Sequence, residues 1–125
     1  MAIVGIGTDL ARIERFRSFL EPENRLLVRV FCPEEREYAL RMRDPAPHLA
    51  ARFAAKEAFL KALGTGLRDG LSWQQVRIER DDLGCPALHL SGRAAELMRA
   101  RGAGKAHLSY SHDGDYAVAT VILED

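Results

Sequence analysis

The stretch from about His48 to Leu63 constrains the fold most, because it is rich in Ala and Leu and is closed by Gly64 and Gly66. Both glycines suit the positive φ that ends a helix, so the spacing predicts one long helix over this stretch. On a helical wheel Leu49, Phe53, Leu60 and Leu63 form an apolar stripe, and at roughly 100° per residue Lys56 falls inside it. A core-facing lysine needs a partner. Glu57 sits at the edge of the stripe and Lys61 one turn further along, so the three can surround a polar pocket bordering the core. The competing reading is an ordinary Glu57–Lys61 pair with Lys56 snorkelling to solvent.

Around this helix the chain alternates short elements. Ile3 to Asp9 reads as a strand, followed by a helix at about Ala11 to Leu20. Pro22 and Glu23 restart helical sequence toward Phe31. Pro33, Glu34 and Glu35 mark another helical N-terminus, and that helix ends before Asp44-Pro45-Ala46-Pro47. Beyond the long helix, Trp73 to Arg80 and Ala87 to Leu90 read as strands, and Ser91 or Gly92 opens a helix to about Arg101. Ala106 to His112 and Tyr116 to Leu123 flank Asp113-Gly114-Asp115, a strong hairpin signal. The order β-αααα-ββ-α-ββ predicts an α+β fold with a mainly antiparallel sheet packed with helices. No repeat, linker or low-complexity run divides it, so residues 1–125 are expected to form a single domain.

A chain of 125 residues that is 47% apolar but only 7% aromatic supports a modest core, which self-association would help. Eighteen basic residues balance eighteen acidic ones, so nothing in the total charge argues for a nucleic acid or an anionic membrane. Cys32 and Cys85 have no second Cys or His at metal-ligand spacing, which makes a structural zinc site improbable. Met1 to Leu10 has no basic leader, and no stretch approaches the roughly 20 apolar residues that span a bilayer. Free thiols without an export signal give a cytoplasmic expectation.

Three further features carry chemistry or its appearance. Gly5-Ile6-Gly7-Thr8-Asp9 begins like a dinucleotide loop but has Leu10 where the third glycine belongs. Its glycines instead let something approach the strand closely, and Asp9, at the strand end, either caps the next helix or binds a cation. In the last hairpin Leu108, Tyr110 and His112 share one face, so His112 is either a hydrogen-bonded structural histidine or a group that meets a phosphate or moves a proton. Ser111-His112 lacks the Gly-x-Ser-x-Gly elbow of a nucleophile. Arg12, Arg15, Arg17, Arg25 and Arg29 give the early helices a local basic excess, either a solvated face or a docking surface for an acidic partner.

Taken together, Gly5-Ile6-Gly7-Thr8-Asp9-Leu10, the run from Arg52-Phe53-Ala54-Ala55-Lys56-Glu57-Ala58 through Phe59-Leu60-Lys61-Ala62-Leu63 to Gly64-Thr65-Gly66, and Ser109-Tyr110-Ser111-His112 resemble the holo-[acyl-carrier-protein] synthase family. This is the small, stand-alone branch of the 4'-phosphopantetheinyl transferases. The resemblance extends from Met1 to the final hairpin, and the helix ending in Gly64-Thr65-Gly66 is its most specific part. It implies transfer of 4'-phosphopantetheine from coenzyme A to a serine hydroxyl of apo acyl carrier protein, giving holo carrier protein and 3',5'-ADP in support of fatty acid biosynthesis. The alternative is a binding module for coenzyme A or the carrier protein without turnover.

By the same resemblance Asp9 and Glu57 bind Mg²⁺, and Asp9, Glu57 and Lys61 form the catalytic set. Arg52, Lys56, Lys61, His112 and the loop Gly64, Thr65, Gly66 are implied to contact coenzyme A, and Arg15 and Arg25 to dock the acidic carrier protein. A homotrimer with active sites between subunits is also implied. Two departures from the family pattern stand out: Pro22 at or near a basic docking position, and Cys85 in Gly84-Cys85-Pro86 where lysine is common.

Overall fold

The computed structural model describes residues 1–68 and 70–125. Strand β1 (Ile3–Arg12) leads into a 3-10 segment (Ile13–Leu20), then helices α1 (Leu26–Val30), α2 (Pro33–Leu40) and α3 (Pro45–Leu63). A 3-10 turn (Trp73–Gln75) precedes β2 (Val76–Arg80) and β3 (Pro86–Leu90), and α4 (Gly92–Ala100), β4 (Lys105–Asp113) and β5 (Tyr116–Glu124) follow. The fold is α+β, and every strand pairing is antiparallel. The strands form two sheets, one ordered β1-β5-β4 and the other a separate β2-β3 pair.

Helix α3 is the centre of the core. It is buried nearly all round, Leu49, Phe53, Phe59, Leu60 and Leu63 included, so the expected stripe is one part of a wider buried surface. Alanines dominate the rest because β1 lies directly on the helix backbone. A Cβ added at Gly7 would lie 1.9 Å from the Ala58 carbonyl oxygen, and one at Gly5 would lie 2.3 Å from that of Ala62. What the two glycines admit is therefore helix α3 itself.

Several boundaries differ from the sequence reading for identifiable reasons. Strand β1 continues three residues past Asp9 because Arg12 still pairs with Tyr116 of β5. Asp9 consequently sits inside a strand, opposite Ala119, and cannot cap a helix. The expected helix after it is a 3-10 segment whose buried residues Ile13, Phe16 and Phe19 recur every third position, the period of that helix. Helix α3 begins at Pro45 rather than His48, since proline, which has no N–H, fits a first turn whose amides find no acceptor within the helix. It ends at Gly64, with φ of 80°.

Candidate active site

Two different devices fix the two sides of α3. On one side the close approach of β1 brings Asp9 beside the helix. Lys61, in the last turn, extends its Nζ to Asp9 Oδ1 at 3.0 Å and to the Thr8 carbonyl oxygen at 3.0 Å. Glu57 lies one turn earlier on the same side, half-buried, with no hydrogen bond or ion pair among the described residues. Its carboxyl is pushed up from the usual range first by burial and then by the charge of Asp9, while Lys61 and Arg15 oppose the shift. Arg15 reaches this side from the 3-10 segment, its guanidinium 5.0 Å from the Phe53 ring centroid.

Two adjacent carboxylates, one of them without a hydrogen bond or ion pair among the described residues, suit a magnesium ion. That ion takes one or two protein carboxylates and completes its shell with water and substrate phosphate. No group of three His, Cys, Asp or Glu among the described residues could hold a metal unaided. Phosphate oxygens from a substrate fit that deficit.

The other side of α3 carries Lys56, about 100° around the helix from Glu57, and Arg52, about 140° around it. Arg52 is only 2% exposed; its Nη1 donates to the His48 carbonyl oxygen at 3.3 Å, and its Nε has no partner among the described residues. Its guanidinium lies 4.2 Å from the Tyr38 ring centroid, with Arg80 at 5.6 Å and Arg41 at 5.9 Å from the same ring. Arg80 Nη1 also donates to the Tyr38 hydroxyl. These residues line a cavity of about 270 Å³ with Glu34, Glu35, Ile78 and Glu79.

The carboxylates of that cavity are already engaged. Glu35 pairs with Lys56, and Glu34 and Glu79 face Arg77 at 3.8 and 3.0 Å. Arg41, Arg52 and Arg80 make no ion pair among the described residues. The His48 imidazole beside them is pushed down from its ordinary range by burial and then by Arg52, His112 and Arg80. The cavity can therefore take an anionic group, and Arg guanidinium forks suit phosphate.

His112 is exposed on β4, without a hydrogen bond among the described residues, so it is not the satisfied structural histidine. Its ring lies 6.2 Å from that of His48, which links it to the Arg52 side, and it borders a second cavity of about 200 Å³ with Leu10, Ser111, Asp113, Tyr116 and Val118. The loop Gly64, Thr65, Gly66 follows α3 directly; Thr65 Oγ1 donates to the Gly66 carbonyl oxygen at 3.0 Å. Arg101 holds that end of the helix, donating to the carbonyl oxygens of Leu63 and Val4. Arg15 and Arg25 are both exposed, Arg25 immediately before α1.

Lys56 stands apart from the other candidates. It is 0% exposed, neither snorkelling nor part of a pocket with Glu57 and Lys61. Its Nζ donates to Glu35 Oε1 at 2.9 Å and to the carbonyl oxygens of Trp73 and Val76 at 2.9 and 2.7 Å, which uses all three donors. Burial pushes its pKa down, and Glu35 opposes that shift. The sequence reading missed Glu35, Tyr38, Arg80 and Arg101. Only Glu35 had a usable signal, an acid in a helical first turn for a core lysine that lacked a partner.

The chain belongs to the 4'-phosphopantetheinyl transferase superfamily, whose family model matches residues 5–121. Within it, the chain is 57% identical over 123 residues to the holo-[acyl-carrier-protein] synthase of Trichlorobacter lovleyi, with 98% of each chain covered. The crystal structure of holo-[acyl-carrier-protein] synthase from Neisseria meningitidis superposes with a TM-score of 0.87 at 36% identity, covering 99% of this chain and 100% of that one. A holo-(acyl-carrier-protein) synthase from Bacillus anthracis, solved in complex with CoA (3',5'-ADP), gives a TM-score of 0.80 at 34% identity over 97% and 96% of the two chains.

Proposed function

We infer that the protein transfers the 4'-phosphopantetheine group of coenzyme A to a serine hydroxyl of apo acyl carrier protein, giving holo carrier protein and 3',5'-ADP and supporting fatty acid biosynthesis. The observation that carries this reading is that α3 has on one side a carboxylate site, Asp9 of β1 with Glu57, which has no hydrogen bond or ion pair among the described residues, and on the other a cationic cavity around Arg52. The serine oxygen forms a bond to the phosphorus next to the pantetheine, the bond from that phosphorus to 3',5'-ADP breaks, and the serine proton leaves to a base. Glu57 takes that proton directly or through water.

Asp9 and Glu57 would hold Mg²⁺, which when bound offsets charge on the pyrophosphate and the leaving group. Lys61 serves the same phosphates from the end of α3, and the amides of Gly64, Thr65 and Gly66 are available to them. Arg52 and His112 contact coenzyme A from the other side. Lys56, buried against Glu35, serves coenzyme A by holding that side together.

Residues 1–125 act as one transferase domain, in keeping with a core that runs from Ala11 to Leu123. The outward face of the β1-β5-β4 sheet leaves Ile6 65% and Leu10 62% exposed, with Tyr116 and Val118 beside them. Such a face favours self-association, and we assign it to a homotrimer with active sites between subunits. Arg15 and Arg25 dock the acidic carrier protein, with exposed Leu26 and Val28 next to Arg25. Among the described residues no helix is long and apolar enough to cross a membrane. Free Cys32 and Cys85 fit a cytoplasmic setting.

Intact-mass spectrometry of apo acyl carrier protein incubated with the protein, coenzyme A and magnesium tests the reading. The expected result is a gain of one phosphopantetheine that a chelator prevents. Coenzyme A binding with no gain on any carrier protein would replace it with the binding-module reading.

A further inference from the structure

Glu35 lies on α2, opposite the candidate carboxylates, and is 1% exposed. Its Oε1 accepts from the Cys32 amide at 2.8 Å and from Lys56 Nζ at 2.9 Å, and its Oε2 accepts from the Ile78 amide at 2.8 Å. Lys56 in turn donates to the Val76 carbonyl oxygen. Val76 and Ile78 are alternate residues of β2, so these groups belong to one strand edge, and among the described residues β2 pairs only with β3, on the other edge. Glu35 and Lys56 thus take the place of a neighbouring strand, stitching the β2-β3 hairpin to α2 and α3.

The walls of the cationic cavity begin about one helical turn from this node. Arg52 precedes Lys56 by four residues on α3, Tyr38 follows Glu35 by three on α2, and Arg80 closes β2 two residues after Ile78. Glu35 itself forms part of the cavity wall. The distance between Arg52 and Arg80 across Tyr38 therefore depends on where the node sets β2. Asp9 and Glu57 depend on something else, the packing of Gly5 and Gly7 on Ala58 and Ala62.

We propose that Glu35 is a positioning residue: acting through Lys56 and the free edge of β2, it sets the spacing of Arg52 and Arg80 and so the affinity of their cavity for a phosphate of coenzyme A. This rests on the transferase reading given above. Glu35 touches no reacting atom, so its loss acts on binding and leaves the chemical step intact.

The discriminating variant is the double replacement Glu35→Leu with Lys56→Met, because replacing both members of a buried pair with apolar residues of similar size is often tolerated where breaking the pair is not. Glu35→Gln is the companion, keeping size and part of the hydrogen bonding. Thermal denaturation, calorimetric titration with 3',5'-ADP and steady-state transfer are measured on the full chain of each. The expected result is a folded double variant that binds 3',5'-ADP about tenfold more weakly, with KM for coenzyme A raised to match and kcat within about twofold of the parent. Glu35→Gln moves in the same direction.

A folded double variant with parental affinity and KM would overturn the proposal, leaving the pair a purely structural device. So would a Glu35→Gln protein, should the double variant not fold, in which kcat falls while binding stays parental. If the parent chain itself binds neither coenzyme A nor 3',5'-ADP, the transferase reading fails first and the proposal with it.

Discussion

The two sides of α3 are built on opposite principles. Toward β1 the chain removes side chains, so that Gly5 and Gly7 rest on the backbone at Ala58 and Ala62, and the polar groups left at the edge of that contact are Asp9, Glu57 and Lys61. Toward α2 and β2 it buries a charged pair and satisfies it completely. Close backbone packing tolerates almost no displacement, which suits groups that must meet a reacting phosphorus. A hydrogen-bonded pair sets a spacing between separate elements, which suits a cavity that must grip an anion. Distance carries one side and charge pairing the other.

If that division is right, the largest effect falls on the carboxylate side. Asp9→Ala and Glu57→Ala each lower kcat about a thousandfold or more, roughly 4 kcal/mol of transition-state stabilisation, while circular dichroism stays native. Transfer near the parental rate in either variant would break the comparison at its centre. Next comes Lys56→Met alone, which strands the Glu35 carboxylate in the core and costs about 3 kcal/mol of stability in urea denaturation, more than the double replacement. Gly7→Ala is smaller still. Its methyl meets a backbone oxygen that cannot turn aside, so stability falls about 2 kcal/mol and kcat drops by a larger factor than coenzyme A affinity.

The smallest effect belongs to neither side. Arg17 joins the 3-10 segment to the start of α3 through Asp44 at 2.9 Å, and this bond holds the Asp44 carboxyl below its usual range. A lowered folded-state pKa contributes stability above the unfolded value of about 4 and loses it as pH falls through the lower folded one. Asp44→Asn should therefore lower the melting temperature slightly at pH 7, and the difference should shrink and vanish as pH falls through the lowered folded-state value. The pair is exposed, so added salt should shrink it as well.

How much of this was legible in the sequence follows the same division. Helix α3 with its closing Gly64, the helix opened by Pro33 and the Asp113-Gly114-Asp115 hairpin are local patterns, and each appears, α3 starting three residues before His48. Asp9, Glu57 and Lys61 do come together, because two of them share a helix turn and the third follows the glycines of β1. The extension of β1 to Arg12 was hidden, since only pairing with β5 decides it. The Tyr38 cavity was hidden for the same reason, needing α2, α3 and the end of β2 at once. The stripe leaves Lys56 either core-facing or snorkelling, and it is the first that the structure shows. Its partner lies 21 positions earlier, beyond the reach of any helical period.

The most direct test sets Glu57→Gln beside Arg52→Met in one steady-state experiment with coenzyme A varied. The division of labour predicts that Glu57→Gln binds coenzyme A yet transfers almost nothing. Arg52→Met should transfer at close to the parental kcat once its raised KM is satisfied. Loss of both binding and turnover in both variants would contradict it, because α3 would then carry one indivisible site.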